Sequence, residues 1–339
     1  MRAAVLLGKE KMVVQELPKP VSGPGEVRVQ VKACGICGTD VHIYHGQPGS
    51  AEVQPPRVLG HEVAGVIDRV GPGVDGLAPG DRVTVDPNVY CGHCRFCCSG
   101  RKHLCESLQA VGVTRDGGMA EFCTVPAANC YRLPDGLSFL EGALMEPLGC
   151  CLHGIERIRV LPGLSAVVIG GGYIGLIMVQ LLDALGAAPI VVSEPDPAKR
   201  ALAKRFGADE AVDPAAIPVE AYTSQRFGGA DVVVECVGRP ETMRAALRCA
   251  GRGGQVLLFG VADPATVVDL SPYEVFAKEL TIRGSFINPD THARAIALVE
   301  AGKVRVAPLV THRFRLEEVP EILAGYASLR VTKGVVVLE

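Results

Sequence analysis

From Val160 to Leu182 the chain carries no charged residue, a stretch long enough to cross a bilayer. Pro162 and the run Gly170-Gly171-Gly172 interrupt it, so it reads as a buried parallel strand, Ala166–Ile169, a glycine turn, and a buried helix, Tyr173–Leu185. A wholly apolar strand needs a sheet covered on both faces, which commits this part to a doubly wound α/β architecture. Ile190–Ser193, Asp231–Glu235, Val256–Phe259 and Leu280–Arg283 read as its companion strands, with Pro197–Phe206 and Glu241–Ala250 as crossing helices. Asp196 before Pro197 is an N-cap followed by proline at the first helical position.

The turn itself, Gly170-Gly171-Gly172-Tyr173-Ile174-Gly175, is G-x-G-x-x-G between strand and helix. In that context the glycines let backbone approach a pyrophosphate, and the helix N-terminus faces its charge. Glu194 ends the next strand, where a carboxylate accepts hydrogen bonds from adenosine ribose hydroxyls and repels a 2′-phosphate. NAD is therefore expected rather than NADP.

The first part of the chain has a different texture. Short β-rich runs, Ala3–Leu7, Glu26–Ala33, Glu62–Val70, Asp81–Val85 and Glu121–Val125, alternate with turns such as Gly23-Pro24-Gly25 and Pro79-Gly80-Asp81. At 339 residues the chain exceeds one ordinary core, and two domains are expected. After about Pro289, one helix, Thr291–Ala301, and a β-rich end, Val304–Glu339, are expected to return to the first domain. A net charge of −3 without a basic block excludes nucleic acid as the natural partner. The 13 cysteines are an odd number with close spacings, which fits metal in a reducing compartment better than disulfides. The apolar run at the N-terminus is too short for a secretory signal, so a cytoplasmic protein without a membrane partner is expected.

Two cysteine-bearing stretches carry metal chemistry. Cys91, Cys94, Cys97 and Cys105 form C-x2-C-x2-C-x7-C, four thiolates that close a tetrahedron and leave no room for substrate, hence a structural zinc. The spacing does not match an iron–sulfur run, and Cys98 breaks the register. Cys34, Cys123, Cys130, Cys150, Cys151, Cys236 and Cys249 read as small buried hydrophobes. Cys37-Gly38-Thr39-Asp40-Val41-His42 and Gly60-His61-Glu62 instead mix thiol, imidazole, carboxylate and hydroxyl, the types that bind an open zinc and relay protons. Glu146, in Glu146-Pro147-Leu148-Gly149, stands at the join of the two textures.

Taken together, these residues resemble the zinc-dependent medium-chain dehydrogenase/reductases, and within them the sorbitol dehydrogenase-like polyol branch. The match also includes Gly80-Asp81-Arg82-Val83 and Gly284-Ser285-Phe286 and runs nearly end to end. The resemblance implies a GroES-like β-barrel catalytic domain over 1–150 with a structural zinc lobe at about 88–107. A Rossmann NAD-binding domain would cover 151–288, and residues 289–339 would rejoin the catalytic domain. It implies two zinc ions per chain, NAD, and a homo-oligomer, tetramer or dimer. By the same resemblance Cys37, His61 and Glu62 hold the catalytic zinc with a water, and Glu146 lies beside that water or exchanges with it. Asp40 orients His61, Thr39 bonds the substrate hydroxyl, and His42 ends a proton relay. Gly170, Gly172, Ile174, Gly175, Glu194, Lys199, Val237, Val261 and Phe286 line the cofactor, with Lys333 near its pyrophosphate.

Zinc lowers the pKa of bound water from roughly 16 to about 7, and the same effect on an alcohol is worth on the order of 12 kcal/mol. The expected reaction is reversible hydride transfer from a secondary alcohol of a polyol or sugar-like substrate to NAD. One departure stands out: sorbitol dehydrogenases carry Arg-Tyr where this chain has Ile287-Asn288, which points away from sorbitol. The alternative within enzymes is oxidation of L-threonine at its β-hydroxyl; outside enzymes it is a dinucleotide-binding sensor.

Overall fold

Uncharged strands need neighbours on both edges, and the unit Cys150–Phe286 supplies them. In the computed structural model, which describes residues 1–338, six strands of this unit form a wholly parallel sheet. Their spatial order is Glu210–Val212, Ile190–Ser193, Ala166–Ile169, Ala230–Glu235, Ala250–Leu258, Thr281–Gly284. The chain leaves Ala166–Ile169 toward one edge and returns on its other side with Ala230–Glu235. The carboxyl ends of these two strands therefore make the switch point where such sheets bind ligands. The helix Tyr173–Ala184 is buried along most of its length. Val160 to Leu182 is thus a loop, a strand, a turn and a helix. Among the described residues no helix is long and apolar enough to cross a membrane.

Three elements of this unit have no counterpart in the sequence reading: the strand Glu210–Val212 and the helices Val219–Phe227 and Pro272–Lys278. The strand Ala250–Leu258 also starts earlier than expected, because Gly251, Gly253 and Gly254 read as turn residues yet lie within it.

The other unit comprises Met1–Gly149 and the chain from Ile287 onward. Its organising strand is Glu26–Ile36, whose alternating burial becomes continuous from Ala33 to Ile36. It pairs antiparallel with Glu62–Val70, Phe122–Pro126 and Gly334–Val337, so the end of the chain is woven beside its beginning. A smaller sheet joins Arg2–Gly8, Lys11–Glu16 and Arg57–Val58. The fold class is α/β as expected, a doubly wound parallel sheet with a separate, largely antiparallel β unit. The tail differs from the β-rich end expected for Val304–Glu339. Among its described residues only His312–Phe314 and Gly334–Val337 are strands, with the helix Val319–Gly325 between them. Pro320 opens that helix, and Val319 and Leu323 bury one face at helical spacing. Glu339 lies outside the described residues.

One buried polar contact of this unit makes its stability pH-dependent. Thr84 Oγ1 donates to the Gly142 carbonyl at 2.6 Å and lies 2.9 Å from Nε2 of the fully buried His292. With its only proton committed, Thr84 accepts from Nε2–H, and the ring packs against Tyr131 with centroids 4.8 Å apart. Burial pushes the His292 pKa down to about 3. A folded-state value below the unfolded one of about 6.5 means that stability is complete above pH ~6.5 and is lost as pH falls toward 3, by about 5 kcal/mol in all. Denaturant titrations of wild type and His292→Gln should therefore show a stability gap that narrows by roughly 2–3 kcal/mol between pH 7 and 4.5. A gap that stays constant refutes this assignment.

Candidate active site

Cys37 follows the strand Glu26–Ile36 and caps the helix Gly38–Tyr44, in extended conformation at φ −103° and ψ 156°. Asp40, fully buried, returns Oδ2 to the Cys37 N–H at 2.9 Å, which fixes the cap and aims its thiol. Glu62 opens the strand Glu62–Val70 directly across from Gly35. A Cβ at position 35 would stand 1.8 Å from Glu62 Oε2, so the buried carboxylate fits only because this position is glycine. Gly60 turns the chain into His61 at φ +94°, a conformation that favours glycine.

These segments bring one donor atom each of Cys37, His61 and Glu62 within 4.8 Å of one another. His61 Nδ1 lies 3.4 Å from Asp40 Oδ1. Those two atoms face each other, whereas Glu62 Oε2 is buried without a hydrogen-bond partner, the condition a cation at this point would relieve. Burial disfavours a charged His61, but Asp40 and then the Cys37 thiol outweigh it and raise its pKa well above the ordinary value. Thr39 Oγ1 sits 3.6 Å from Cys37 Sγ, and His42, half-buried, lies one turn further along the same helix. Glu146 is buried in the first turn of the helix Met145–Glu156 but stands outside the three-donor group. Lys333, expected near a pyrophosphate, is found in the β unit, buried, with Nζ 2.5 Å from Glu62 Oε1 and donating to the Ile36 carbonyl at 3.0 Å. Nothing local in the sequence signals this pair.

The second donor group is Cys91, Cys94, Cys97 and Cys105, again with ligand atoms within 4.8 Å of one another. Backbone N–H groups of Cys91 and Cys94 point at the sulfurs of Cys105 and Cys91, both at 3.3 Å. The Cys94 thiol is pulled down to about 6, chiefly by the backbone N–H of Cys97, while burial pushes Cys97 up. Four sulfurs this close cannot all ionise without a cation among them, and a closed thiolate site fits zinc. Cys98 points away, its Sγ 3.5 Å from the His93 carbonyl.

In the parallel-sheet unit, Gly170 adopts φ +100°, and a Cβ on Gly175 would fall 1.8 Å from the Gly170 carbonyl oxygen. The turn is thus built for glycine at both positions, with Gly172 as the N-cap of the following helix and Ile174 half-buried in its first turn. Glu194 receives the Gly171 N–H at 2.7 Å on Oε2 and the Asp196 N–H at 2.9 Å on Oε1, and is buried at the end of its strand. Asp196 caps the helix Pro197–Arg205 through the Ala198 N–H, and Lys199 is half-buried on its first turn. Val237 packs over Gly170, held from below by Glu235, which accepts the N–H groups of Val237 and Gly238. Val261 backbone lies against Gly238, and Val261 and Phe286 keep exposed side chains. The cofactor residues expected from the sequence within this unit therefore lie at or beyond the carboxyl ends of these strands, the side on which such sheets bind ligands.

The departure at Ile287-Asn288 has a structural meaning that the sequence hid. Ile287 is a β-branched residue at φ +49°, and Asn288 is fully buried, accepting from Asn88 Nδ2 at 2.6 Å while its carbonyl takes the Tyr90 hydroxyl at 3.2 Å. Lys102 adds an ion pair to Asp290 at 2.5 Å. The segment is clamped to the short strand Asn88–Val89 and to Tyr90, which lead into the cysteine lobe.

Comparison with known proteins agrees with this arrangement. Residues 23–135 match the alcohol dehydrogenase GroES-like domain, and residues 174–301 match the zinc-binding dehydrogenase model. The chain is 36% identical to L-idonate 5-dehydrogenase of Vitis vinifera over 324 residues, covering 93% of this chain and 88% of that one. It is 35% identical to L-threonine 3-dehydrogenase of Pyrococcus horikoshii, covering 90% and 88%. The crystal structure of a zinc-binding dehydrogenase from Sinorhizobium meliloti 1021 bound to NADP superposes with a TM-score of 0.95 at 38% identity, covering 99% of both chains. The chain belongs to the zinc-dependent medium-chain dehydrogenase family and is an oxidoreductase acting on a CH–OH group.

Proposed function

We propose that this dehydrogenase oxidises a secondary hydroxyl of a polyol or sugar acid to the ketone, reversibly, with NAD as hydride acceptor. The observation that carries the reading is the convergence of Cys37, His61 and the unsatisfied Glu62 Oε2 beside Thr39, in a chain similar to an L-idonate 5-dehydrogenase. Cys37, His61 and Glu62 would hold a catalytic zinc ion, and Cys91, Cys94, Cys97 and Cys105 a structural one. When bound, the catalytic ion supplies Lewis-acid polarisation of the substrate hydroxyl. Asp40 takes the Nδ1 side of His61 and so leaves Nε2 as the donor nitrogen. Thr39 would orient the substrate hydroxyl by accepting its hydrogen bond and, as it takes that proton, release its own hydroxyl proton toward solvent, with His42 as the base at the outer end of the relay. Glu146 stands ready to position a water.

The unit of residues 1–149 with the chain from 287 onward, expected from the sequence at 1–150 and 289–339, then forms the catalytic domain, carrying the zinc lobe at about 88–107, and residues 150–286 bind the cofactor. The Gly170 turn and the helix N-terminus at Gly172 receive the pyrophosphate, while Glu194 and Lys199 hold the adenosine ribose. Glu194 retains acceptor capacity on both oxygens, which favours ribose hydroxyls over a 2′-phosphate. We also propose a cytoplasmic homo-oligomer, dimer or tetramer. Exposed Tyr273 and Phe276, in the segment before the edge strand Thr281–Gly284, support association. A second reading, oxidation of L-threonine, is favoured by the similarity to the Pyrococcus horikoshii enzyme.

Initial rates with NAD against a panel of polyols, sugar acids and L-threonine, followed by NADH absorbance, decide between the two. Turnover of threonine without turnover of any polyol or sugar acid overturns the first reading. Metal analysis should find two zinc ions per chain in wild type and one in Cys37→Ser, with activity down at least a hundredfold, roughly 3 kcal/mol. Zinc loss should be greater in Glu62→Gln than in Glu146→Gln; the opposite order makes Glu146 the ligand. Glu194→Ala should shift the NAD-to-NADP ratio of kcat/KM by about tenfold or more toward NADP, about 1.4 kcal/mol. An unchanged ratio removes Glu194 from the ribose site.

A further inference from the structure

We infer that Lys333 is a positioning residue for the catalytic metal. By pairing with Glu62 it holds one carboxylate oxygen off the ion and cancels one negative charge of the donor set, so the ion is bound less tightly than the same donors would bind it with Glu62 unpaired. The inference rests on the reading that Cys37, His61 and Glu62 hold zinc.

The geometry fixes both ends of the Glu62 carboxylate. Oε1 is engaged by Lys333 Nζ at 2.5 Å, and the ammonium is anchored a second time on the Ile36 carbonyl at 3.0 Å. Oε2 lies over Gly35, where a side chain would collide with it, and has no hydrogen-bond partner. One oxygen is thus committed to the lysine and one is left for a cation. Lys333 reaches this place because Gly334 pairs antiparallel with Ile36, the residue before Cys37. Both members of the pair are essentially excluded from water, with side-chain exposures of 5% and 0%.

The charges follow from simple addition. A Cys37 thiolate, Asp40 and Glu62 bring three negative charges, and Lys333 returns one, so a divalent ion makes this buried group neutral. With Lys333 neutralised by mutation, the same group would carry an excess negative charge that attracts the ion more strongly. In the metal-free protein, the same mutation leaves Glu62 as an uncompensated buried anion, which destabilises it. Losing Lys333 therefore should weaken the metal-free protein and tighten zinc together. A lysine with a merely structural role would lower stability in both states and leave affinity alone.

The test is a zinc competition titration against a chromophoric chelator on the full chain, with the cysteine-lobe zinc counted separately, for wild type, Lys333→Met, Lys333→Gln and Lys333→Arg. The two neutral variants should bind catalytic zinc at least tenfold more tightly and show a larger zinc-induced rise in Tm. The visible spectrum of the cobalt-substituted enzyme should change with them, because Glu62 can then offer both oxygens, and Lys333→Arg should restore wild-type behaviour. In a Glu62→Gln background, Lys333→Met should tighten zinc by less than it does in wild type, because the freed carboxylate oxygen is then missing. That pair and Lys333→Gln carry the comparison if Lys333→Met alone does not fold. Affinity that is equal or weaker in a folded neutral variant overturns the inference while leaving the zinc site standing. A wild-type chain that takes up only one zinc overturns the site reading itself.

Discussion

A carboxylate can be buried flat against a β-strand only where that strand offers no side chain, and in this protein Gly35 makes the opening. Around it the antiparallel register of Glu26–Ile36 does the rest: Glu62 comes from one neighbouring strand, Lys333 from the edge of the other, and Cys37 from the residue that follows the strand itself. A one-residue slip in either pairing would turn Glu62 or Lys333 to the opposite face. The site is therefore a property of the register, and the continuous burial from Ala33 to Ile36 shows how firmly that register is held. Lys333 and Glu62 also show why such a pair is a poor source of stability and a good source of geometry, since each charge taken from water must be repaid by the other.

What could be read from the sequence was whatever is encoded locally. Ala166–Ile169, Ile190–Ser193 and Glu62–Val70 occupy the spans their apolar patterns predict, because a fully buried strand and a half-buried one leave different signatures. The cysteine lobe and the glycine turn are likewise contained within a few residues, so spacing alone suggests their chemistry. The three-donor group was visible as two short segments. Its fourth charged member was not, because Lys333 lies 271 residues from Glu62 and one lysine before an apolar strand carries no signal. The helix Met145–Glu156 was hidden by the Glu-Pro pair in its first turn, which reads as a break although proline is tolerated there. The helix Val319–Gly325 was missed for a related reason: the alternation of valines and prolines around it resembles strand and turn.

The segment Ile287-Asn288 illustrates how a substitution that looks like a change of specificity can be a change of support. Asn288 spends its side-chain oxygen on Asn88, and Asp86, buried beside it, has its carboxyl pushed up to about 6 by that burial despite the hydrogen bonds from Asn88. A polar cluster of this kind is stable only if its members stay engaged with one another. Positive φ at Ile287 costs backbone energy that the cluster must hold in place. Where sorbitol dehydrogenases carry an arginine-tyrosine pair, Asn288 is thus turned inward and engaged in support of its own segment, with the half-buried, apolar Ile287 beside it.

The two metal-ligating groups differ in what they require of the fold. In the cysteine lobe the sulfurs are oriented by N–H groups of the same short loop, Cys91 on Cys105 and Cys94 on Cys91, so the site can assemble once this loop closes. The three-donor group draws on residues 37, 61 and 62, which come together only when Glu26–Ile36 and Glu62–Val70 are paired in register, and Lys333 joins them when the last strand pairs with Glu26–Ile36. The first group is thus local to one loop, whereas the second depends on strand pairing between distant segments. A zinc ion held by Cys37, His61 and Glu62 would for that reason be linked to the pairing of Glu26–Ile36 with Glu62–Val70, each stabilising the state the other needs, while the C-terminal strand, by delivering Lys333 to Glu62, would set a limit on that gain.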